Sequence, residues 1–162
     1  MTHKSYHQKG LGMVEIIVVV AVILVAFTAI LQLFTLQAQI ERVKREELAA
    51  YALLSEALEA VRAVRDDNWS NLSSLTISAD YYPLISGGAW TLAPTDPGPI
   101  DGYSQWVVLG SVARDASDDI VLSGGTLDVD TLRVTAYVEW QSGGSTKTKS
   151  LDTYLTNWQN TF

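Results

Sequence analysis

The residue of this chain whose chemistry is hardest to explain by packing lies near its start. Glu15 directly precedes an apolar run, residues 16–31, in which Thr28 is the only polar residue. An acidic residue deep within a bilayer helix costs about 2.5 to 3.5 kcal/mol even on lenient insertion scales. The chemistry open to such a carboxylate is to pair with a cation. Glu15 is therefore the first candidate functional residue.

Glu15 follows a short basic leader and stands in a segment of membrane length. The leader carries Lys4 and Lys9 without an acidic residue, which by the positive-inside rule keeps it in the cytoplasm and sends the rest of the chain outward. Glu15 is the only charged residue between positions 11 and 31. About 21 residues at roughly 1.5 Å each span about 31 Å. We therefore expect this segment to cross a membrane.

The leader, the glycine at its end and the acid five residues later resemble the processing signal of type IV prepilins and the related pseudopilins. The resemblance implies that a membrane-embedded prepilin peptidase cuts after Gly10, on the cytoplasmic side, and that Leu11 becomes the N-methylated terminus. Leucine is less common there than phenylalanine or methionine. The resemblance also implies that Glu15 pairs with the terminal amine of a neighbouring subunit and sets the axial register of a filament.

Two other interpretations of the start of the chain remain open. A secretory signal would have an apolar core of about 7 to 15 residues, and a cut near Ala38 would leave Glu15 unexplained. An uncleaved signal anchor would instead hold an exported binding or adhesion domain that does not polymerise. We favour the processing signal because it gives Gly10 a task, since glycine lets an extended backbone enter a narrow peptidase cleft.

A single long helix is predicted over residues 13–67, which contain neither glycine nor proline. Its length would be about 54 residues, or roughly 80 Å. The first part is apolar all round, whereas beyond Gln37 the apolar positions narrow to one stripe with the spacing of a buried helix face. That stripe comprises Ile40, Val43, Ala50, Leu54, Ala57, Leu58, Val61 and Val64.

The opposite face of this helix is predicted to be solvated, because charges of opposite sign stand four residues apart on it. The pairs are Glu41 with Arg45, Arg42 with Glu46, and Arg62 with Asp66. Three small residues on the same flank would let neighbouring subunits approach closely; they are Ala49, Ala52 and Ala60. Gln32 stands where many type IV pilins have a proline, so a family-style kink is in doubt.

The helix is predicted to end between residues 66 and 71, where Asp, Asn and Ser cluster. Residues 131–141 alternate apolar and polar side chains, and the sequence Ser-Gly-Gly-Ser at 142–145 turns them back into residues 146–158. This pattern predicts a β-hairpin. The weaker elements are strands at 105–114 and 90–93 and a proline-rich loop at 93–102.

The predicted fold is α+β, with a long N-terminal helix packed on a small antiparallel β-sheet domain. The helix has a transmembrane half and an amphipathic half, and this order of elements matches the pilin architecture. The predicted divisions are a cleaved leader at 1–10, a transmembrane and assembly helix at 11–36, the amphipathic half at 37–67, and the β domain at 68–162.

Composition argues against several classes of function. The chain has no cysteine, so it has no disulfide, thiolate metal site or cysteine nucleophile. His3 and His7 are its only histidines, and cleavage after Gly10 would remove the commonest metal ligand and acid–base catalyst. From Asp66 onward, twelve acidic residues face four basic ones, which disfavours nucleic-acid binding. We expect no enzyme activity, metal or cofactor.

Three further groups of residues are better explained by structure than by a site. The acidic groups lack the glycine and terminal glutamate of an EF-hand and are predicted to be solvated turns rather than calcium ligands: Asp115, Asp118 and Asp119, and Asp128 with Asp130. Helix capping explains the two Asn-x-Ser triplets as well as glycosylation does, at Asn68 and Asn71. Five aromatic residues are expected to pack between helix and sheet rather than form an adhesive surface; they are Tyr81, Tyr82, Trp90, Tyr103 and Trp106.

The resemblance implies a structural subunit of a type IV pilus or pilus-like filament, and a minor pilin or pseudopilin is favoured over a major pilin. Its partners would be other pilin subunits, a prepilin peptidase and methyltransferase, and the inner-membrane assembly platform. It would be a single-pass membrane protein before assembly and part of an extracellular or cell-envelope filament afterwards. The sequence does not distinguish roles in adhesion, motility, DNA uptake or secretion.

Overall fold

The computed structural model describes residues 12–158, and its first element is one helix of 55 residues, α1 (Met13–Asp67). The carbonyl oxygen of Gly12 accepts hydrogen bonds from the backbone N–H groups of Glu15 and Ile16, at 2.9 and 3.3 Å. These bonds begin the helix. The length predicted from the absence of glycine and proline is confirmed.

A short helix and six strands follow α1 in the described chain. They are α2 (Ser70–Ser73), β1 (Asp80–Ser86), β2 (Ala89–Ala93), β3 (Tyr103–Arg114), β4 (Ile120–Val121), β5 (Thr126–Ser142) and β6 (Ser145–Thr156). The strands form one antiparallel sheet in the order β2-β1-β3-β5-β6, with β4 paired to β3. The α+β class, with a long N-terminal helix packed on an antiparallel sheet, is confirmed.

The hairpin of β5 and β6 is the longest regular pairing in the sheet, and it runs from Ser142 opposite Ser145 to Thr131 opposite Thr156. Gly143 and Gly144 form its turn with φ angles of 59° and 80°. Positive φ at both central residues is what the favoured two-residue hairpin turn requires, and glycine meets that requirement without steric cost. The predicted hairpin is confirmed.

The described chain divides into two units that join between residues 44 and 45. In the second unit, one face of α1 packs on the sheet and supplies Ala50, Leu54, Ala57, Leu58, Val61 and Val64 to the core. From the sheet, fully buried Leu109 and Val134 belong to the same core. Burying one large aliphatic side chain contributes about 1.5 to 3 kcal/mol, so this contact holds the helix to the sheet.

Polar contacts add to this packing at several points of the second unit. The amide of Gln105 donates to the carbonyl oxygen of Leu53 at 2.5 Å, and the hydroxyl of Tyr103 donates to that of Glu46 at 3.3 Å. Near the C-terminal end of the described chain, the indole N–H of Trp158 donates to Asp66 at 3.3 Å. These bonds link the helix to β3 and to the segment after β6, in a chain that has no disulfide.

In the first unit, α1 has no such cover. Every described residue from 12 to 44 is exposed, including the large apolar side chains of residues 16–31. A helix that is apolar all round is stable only when lipid or other protein surrounds it. This half of α1 is therefore built to be buried by something outside the chain.

The structure corrects four details of the sequence prediction. Ile40 and Val43 are each 47% exposed, so the stripe that packs on the sheet begins at Ala50. Ala60 is fully buried and belongs to the core rather than to an exposed flank. Arg62 pairs with Glu59, one turn before it, and the sheet includes the unpredicted strands β1 and β4.

Candidate functional site

Of the five residues predicted to act in processing and assembly, the structure describes one. Lys4, Lys9, Gly10 and Leu11 lie outside residues 12–158. Glu15 lies in the first turn of α1. The predicted cleavage and methylation at Gly10 and Leu11 therefore stay predictions.

The carboxylate of Glu15 stands at the start of the exposed apolar helix. A shallow depression beside it, of about 140 Å³, is lined by Glu15, Ile16, Val19 and Val20. The partial positive charge of a helix N-terminus favours an acid at this position. That effect explains why an acidic residue is tolerated here, but it does not explain why one is required. Within residues 12–158 the structure gives Glu15 no ion pair.

The surface that follows Glu15 is long and apolar enough for a bilayer. One helix of the described chain, α1, satisfies the length and composition of a membrane span, and it lies near the N-terminus. Burial of Glu15 in lipid or among helices would remove its hydration, and a buried charge persists only where a partner of opposite sign compensates it. The geometry therefore allows one specific chemistry, pairing with a cation from outside the described chain.

The aromatic residues lie on both faces of the sheet. Tyr81 is buried in the core, while Trp90 and Tyr103 pack against it, as predicted. Trp106 differs, because its neighbour Val107 faces the core and successive side chains of a strand point to opposite faces. The indole of Trp106 instead stacks on the ring of Tyr137, with centroids 5.3 Å apart.

The acidic segments at 115–119 and 128–130 lie close to Arg114, which forms hydrogen bonds with both. Nε of Arg114 donates to Oδ2 of Asp128 at 2.7 Å, and its Nη1 donates to the carbonyl oxygen of Asp118 at 2.8 Å. One carboxylate oxygen of Asp115 accepts hydrogen bonds from the N–H groups of Ser117 and Asp119. Residues 12–158 contain no cluster of three acidic, histidine or cysteine side chains arranged to hold a metal.

Replacing Asp128 with asparagine is expected to destabilise the β domain at neutral pH and to have less effect in acid. The hydrogen bond from Arg114 is the main cause that lowers the pKa of Asp128 in the folded chain. Such a carboxylate stabilises the fold above its unfolded pKa, near 4, and that stability is lost as the pH falls through the lower, folded value. Thermal unfolding followed by circular dichroism should show a Tm several degrees lower for Asp128→Asn at neutral pH, and a difference that shrinks as the pH falls below the unfolded pKa of about 4.

Asp119→Asn is the matched control for that measurement, because Asp119 is exposed in the same region and is not one of the carboxylates that Arg114 contacts. Its Tm should follow that of the wild type at every pH. A Tm difference for Asp128→Asn that is the same in acid as at neutral pH would contradict a role for the ionised carboxylate.

Two exposed surfaces escaped the sequence prediction. Leu36, Ile40 and Val43 carry the i, i+4, i+7 signal of a helix that docks elsewhere, whereas the predicted stripe places Ile40 and Val43 against the sheet. The second surface is a groove between α1 and the loop at residues 94–102. No local pattern marks it, because it forms only when the loop folds against the helix.

Comparison of the chain with protein-family models, with curated proteins and with solved structures finds no match.

Proposed function

We propose that this chain is a structural subunit of a type IV pilus or pilus-like filament, as a minor pilin or pseudopilin. The observation that carries the proposal is Glu15 at the start of an exposed apolar helix half. A lone carboxylate at that place is costly in lipid and costly in a helical bundle unless it is paired. In a filament, the helices of neighbouring subunits would bury the apolar surface, and a neighbouring subunit would supply a cation that pairs with the carboxylate.

The proposed sequence of events starts with insertion of the precursor into the inner membrane. Prepilin peptidase hydrolyses the peptide bond after Gly10. Water supplies the hydroxyl of the new carboxyl group on Gly10 and the hydrogen of the new amine on Leu11. The amine so formed on Leu11 is methylated and remains cationic. Glu15 follows this amine by four residues, so both charges would sit at the same end of the apolar helix.

On assembly, the apolar halves of α1 leave the lipid and pack against one another at the centre of the filament. The β domains remain outside, where their acidic surface is hydrated. Each Glu15 then pairs with the Leu11 amine of a neighbouring subunit. Because an ion pair in such a bundle tolerates little displacement, it sets the axial register of the filament.

The partners of this role are other pilin subunits, the peptidase and methyltransferase, and the inner-membrane assembly platform. Before assembly the chain would be a single-pass membrane protein, and afterwards a component of an extracellular or cell-envelope filament. The mechanical work would belong to the assembly machinery. The chain itself would need neither catalytic residues nor a cofactor.

The processing step can be tested by mass spectrometry of the full chain recovered from cells that express it with a prepilin peptidase. We expect a terminus at Leu11 that carries one N-methyl group, and cells without the peptidase should retain the intact leader as the matched control. A signal-anchored binding domain, the alternative, would keep Met1. An intact Met1, or a cut near Ala38, in the presence of the peptidase would overturn the proposed function.

A further inference from the structure

One side of the β-domain unit has an apolar groove with an acidic rim. The groove, which we call the acidic groove, has a volume of about 490 Å³ and lies between α1 and the loop that contains Ile100. Leu53 and Leu84 line its apolar part, whereas Glu56 and Asp101 supply its charge. The described residues that line it include no lysine or arginine.

The groove is held open by the contact between helix and sheet. Ala49 and Ala52 form part of its helical wall, and their short side chains leave space that a larger residue would fill. Gln105, which also lines the groove, fixes this wall by donating to the carbonyl oxygen of Leu53. An adjoining depression of about 580 Å³ shares Asp101 and adds Glu139, which extends the negative charge.

A complementary surface lies earlier on α1. Leu36, Ile40 and Val43 stand at i, i+4 and i+7, and their side chains are 53%, 47% and 47% exposed. Lys44 lines the same face. We call these four residues the α1 stripe. This spacing is that of amphipathic helices that dock in apolar grooves, and the lysine gives the stripe a positive end.

We propose that the acidic groove of one copy of this chain receives the α1 stripe of a second copy, a contact that rests on the proposed filament and identifies one of its interfaces. The apolar residues of the stripe fit the apolar part of the groove. Lys44 would then lie near Glu56 or Asp101, so opposite charges fix the direction in which the helix enters.

The symmetry of this contact also favours a second copy as the occupant. The groove and the stripe are different surfaces of the same chain, so each copy offers one of each. Such a heterologous contact repeats from copy to copy, and it builds an open helical assembly when the rotation does not close a ring. A contact of this kind is what a filament subunit requires.

Cysteine cross-linking in the full chain tests the contact directly, because the natural chain has no cysteine. One tagged copy would carry Val43→Cys and a second, differently tagged copy Ile100→Cys; both positions are exposed. The two would be expressed together in cells that assemble the wild-type chain, and the filaments oxidised. We expect about tenfold more mixed dimer than for Val43→Cys with Leu122→Cys, since Leu122 is 93% exposed and does not line the acidic groove.

Charge exchange provides a second measurement that does not depend on cross-linking geometry. Glu56→Lys or Lys44→Glu alone should each reduce incorporation into filaments about fivefold, because like charges then meet at the rim. The double variant carries both exchanges in every copy and should recover most of the loss. Asp119→Lys makes the same charge change on an exposed loop and should assemble like the wild type.

The outcomes separate this contact from the proposed function. Filaments that form without preferential cross-linking between positions 43 and 100, or a double variant as defective as the single ones, would overturn the groove contact and leave the filament standing. The stripe would then cover lipid or another protein. A wild-type chain that keeps its leader and forms no filament would overturn the proposed function, and this contact with it.

Discussion

Filaments should exclude the Glu15→Ala variant almost completely, while removal of the leader after Gly10 continues. The substitution leaves the helix intact, since alanine is the best helix former. It removes the anion that would compensate a Leu11 amine of the neighbouring subunit. Leaving one member of a buried ion pair without its partner costs about 3 to 5 kcal/mol, which corresponds to a loss of at least roughly a hundredfold in assembly.

Two measurements are needed on this variant. Mass spectrometry of the terminus reports cleavage and methylation, and the quantity of subunit in sheared filaments reports assembly. Glu41→Ala is the matched control, because it removes an exposed carboxylate from the same helix outside the apolar run, and it should assemble far better than Glu15→Ala. If Glu15→Ala were incorporated as efficiently as the wild type, the pairing of Glu15 with the amine would be wrong.

The long helix and the terminal hairpin were predictable from local sequence because their signals are local. A stretch of 55 residues without glycine or proline offers the chain no inexpensive place to leave the helical conformation. Gly143 and Gly144 between two alternating runs define a tight turn and with it the register of both strands. Neither inference needs knowledge of the rest of the fold.

The sequence prediction is wrong where tertiary contacts determine the position of a strand or the burial of a helix face. The sequence prediction omits β1, in which Pro83 stands opposite Leu92 of β2. β1 pairs with β3 through Asp80 and Tyr81, and Pro83 lies beyond that pairing, where a missing backbone donor costs least. Ile40 and Val43 continue the helical period of the core face, but the buried side chains of α1 begin at Ala50. Periodicity shows which face of a helix is apolar and not what covers it.

Of the candidate functional surfaces, one could be predicted from local sequence and one could not. Glu15 could be found from sequence because a charge beside a membrane-length apolar run is conspicuous in one dimension. The acidic groove could not, because Leu53 and Ile100 lie far apart along the chain and face the same cavity only after folding. The residues of its negative rim also do not stand out in the sequence, because acidic residues are spread along the whole domain.

Leu54→Ala is expected to have the largest effect on stability, about 3 kcal/mol of unfolding free energy within a range of 2 to 5. Leu54 is fully buried where α1 meets the sheet, so truncation both loses apolar burial and leaves a cavity that the paired strands cannot collapse to fill. For a domain of this size the Tm should fall by roughly 10 to 20 °C. Thermal unfolding of the full chain in detergent, followed by tryptophan fluorescence, measures the change, since Trp140 reports from the same core.

Leu48→Ala is the matched control, because it makes the same substitution on the same helix at a side chain that is 69% exposed. Its unfolding free energy should change by less than about 0.5 kcal/mol, as surface substitutions usually do. The difference between the two variants measures the packing of helix on sheet, because the change in helix propensity from leucine to alanine is common to both. Equal and small losses at positions 48 and 54 would mean that α1 is not held by this core, and that the β domain is stable without the helix.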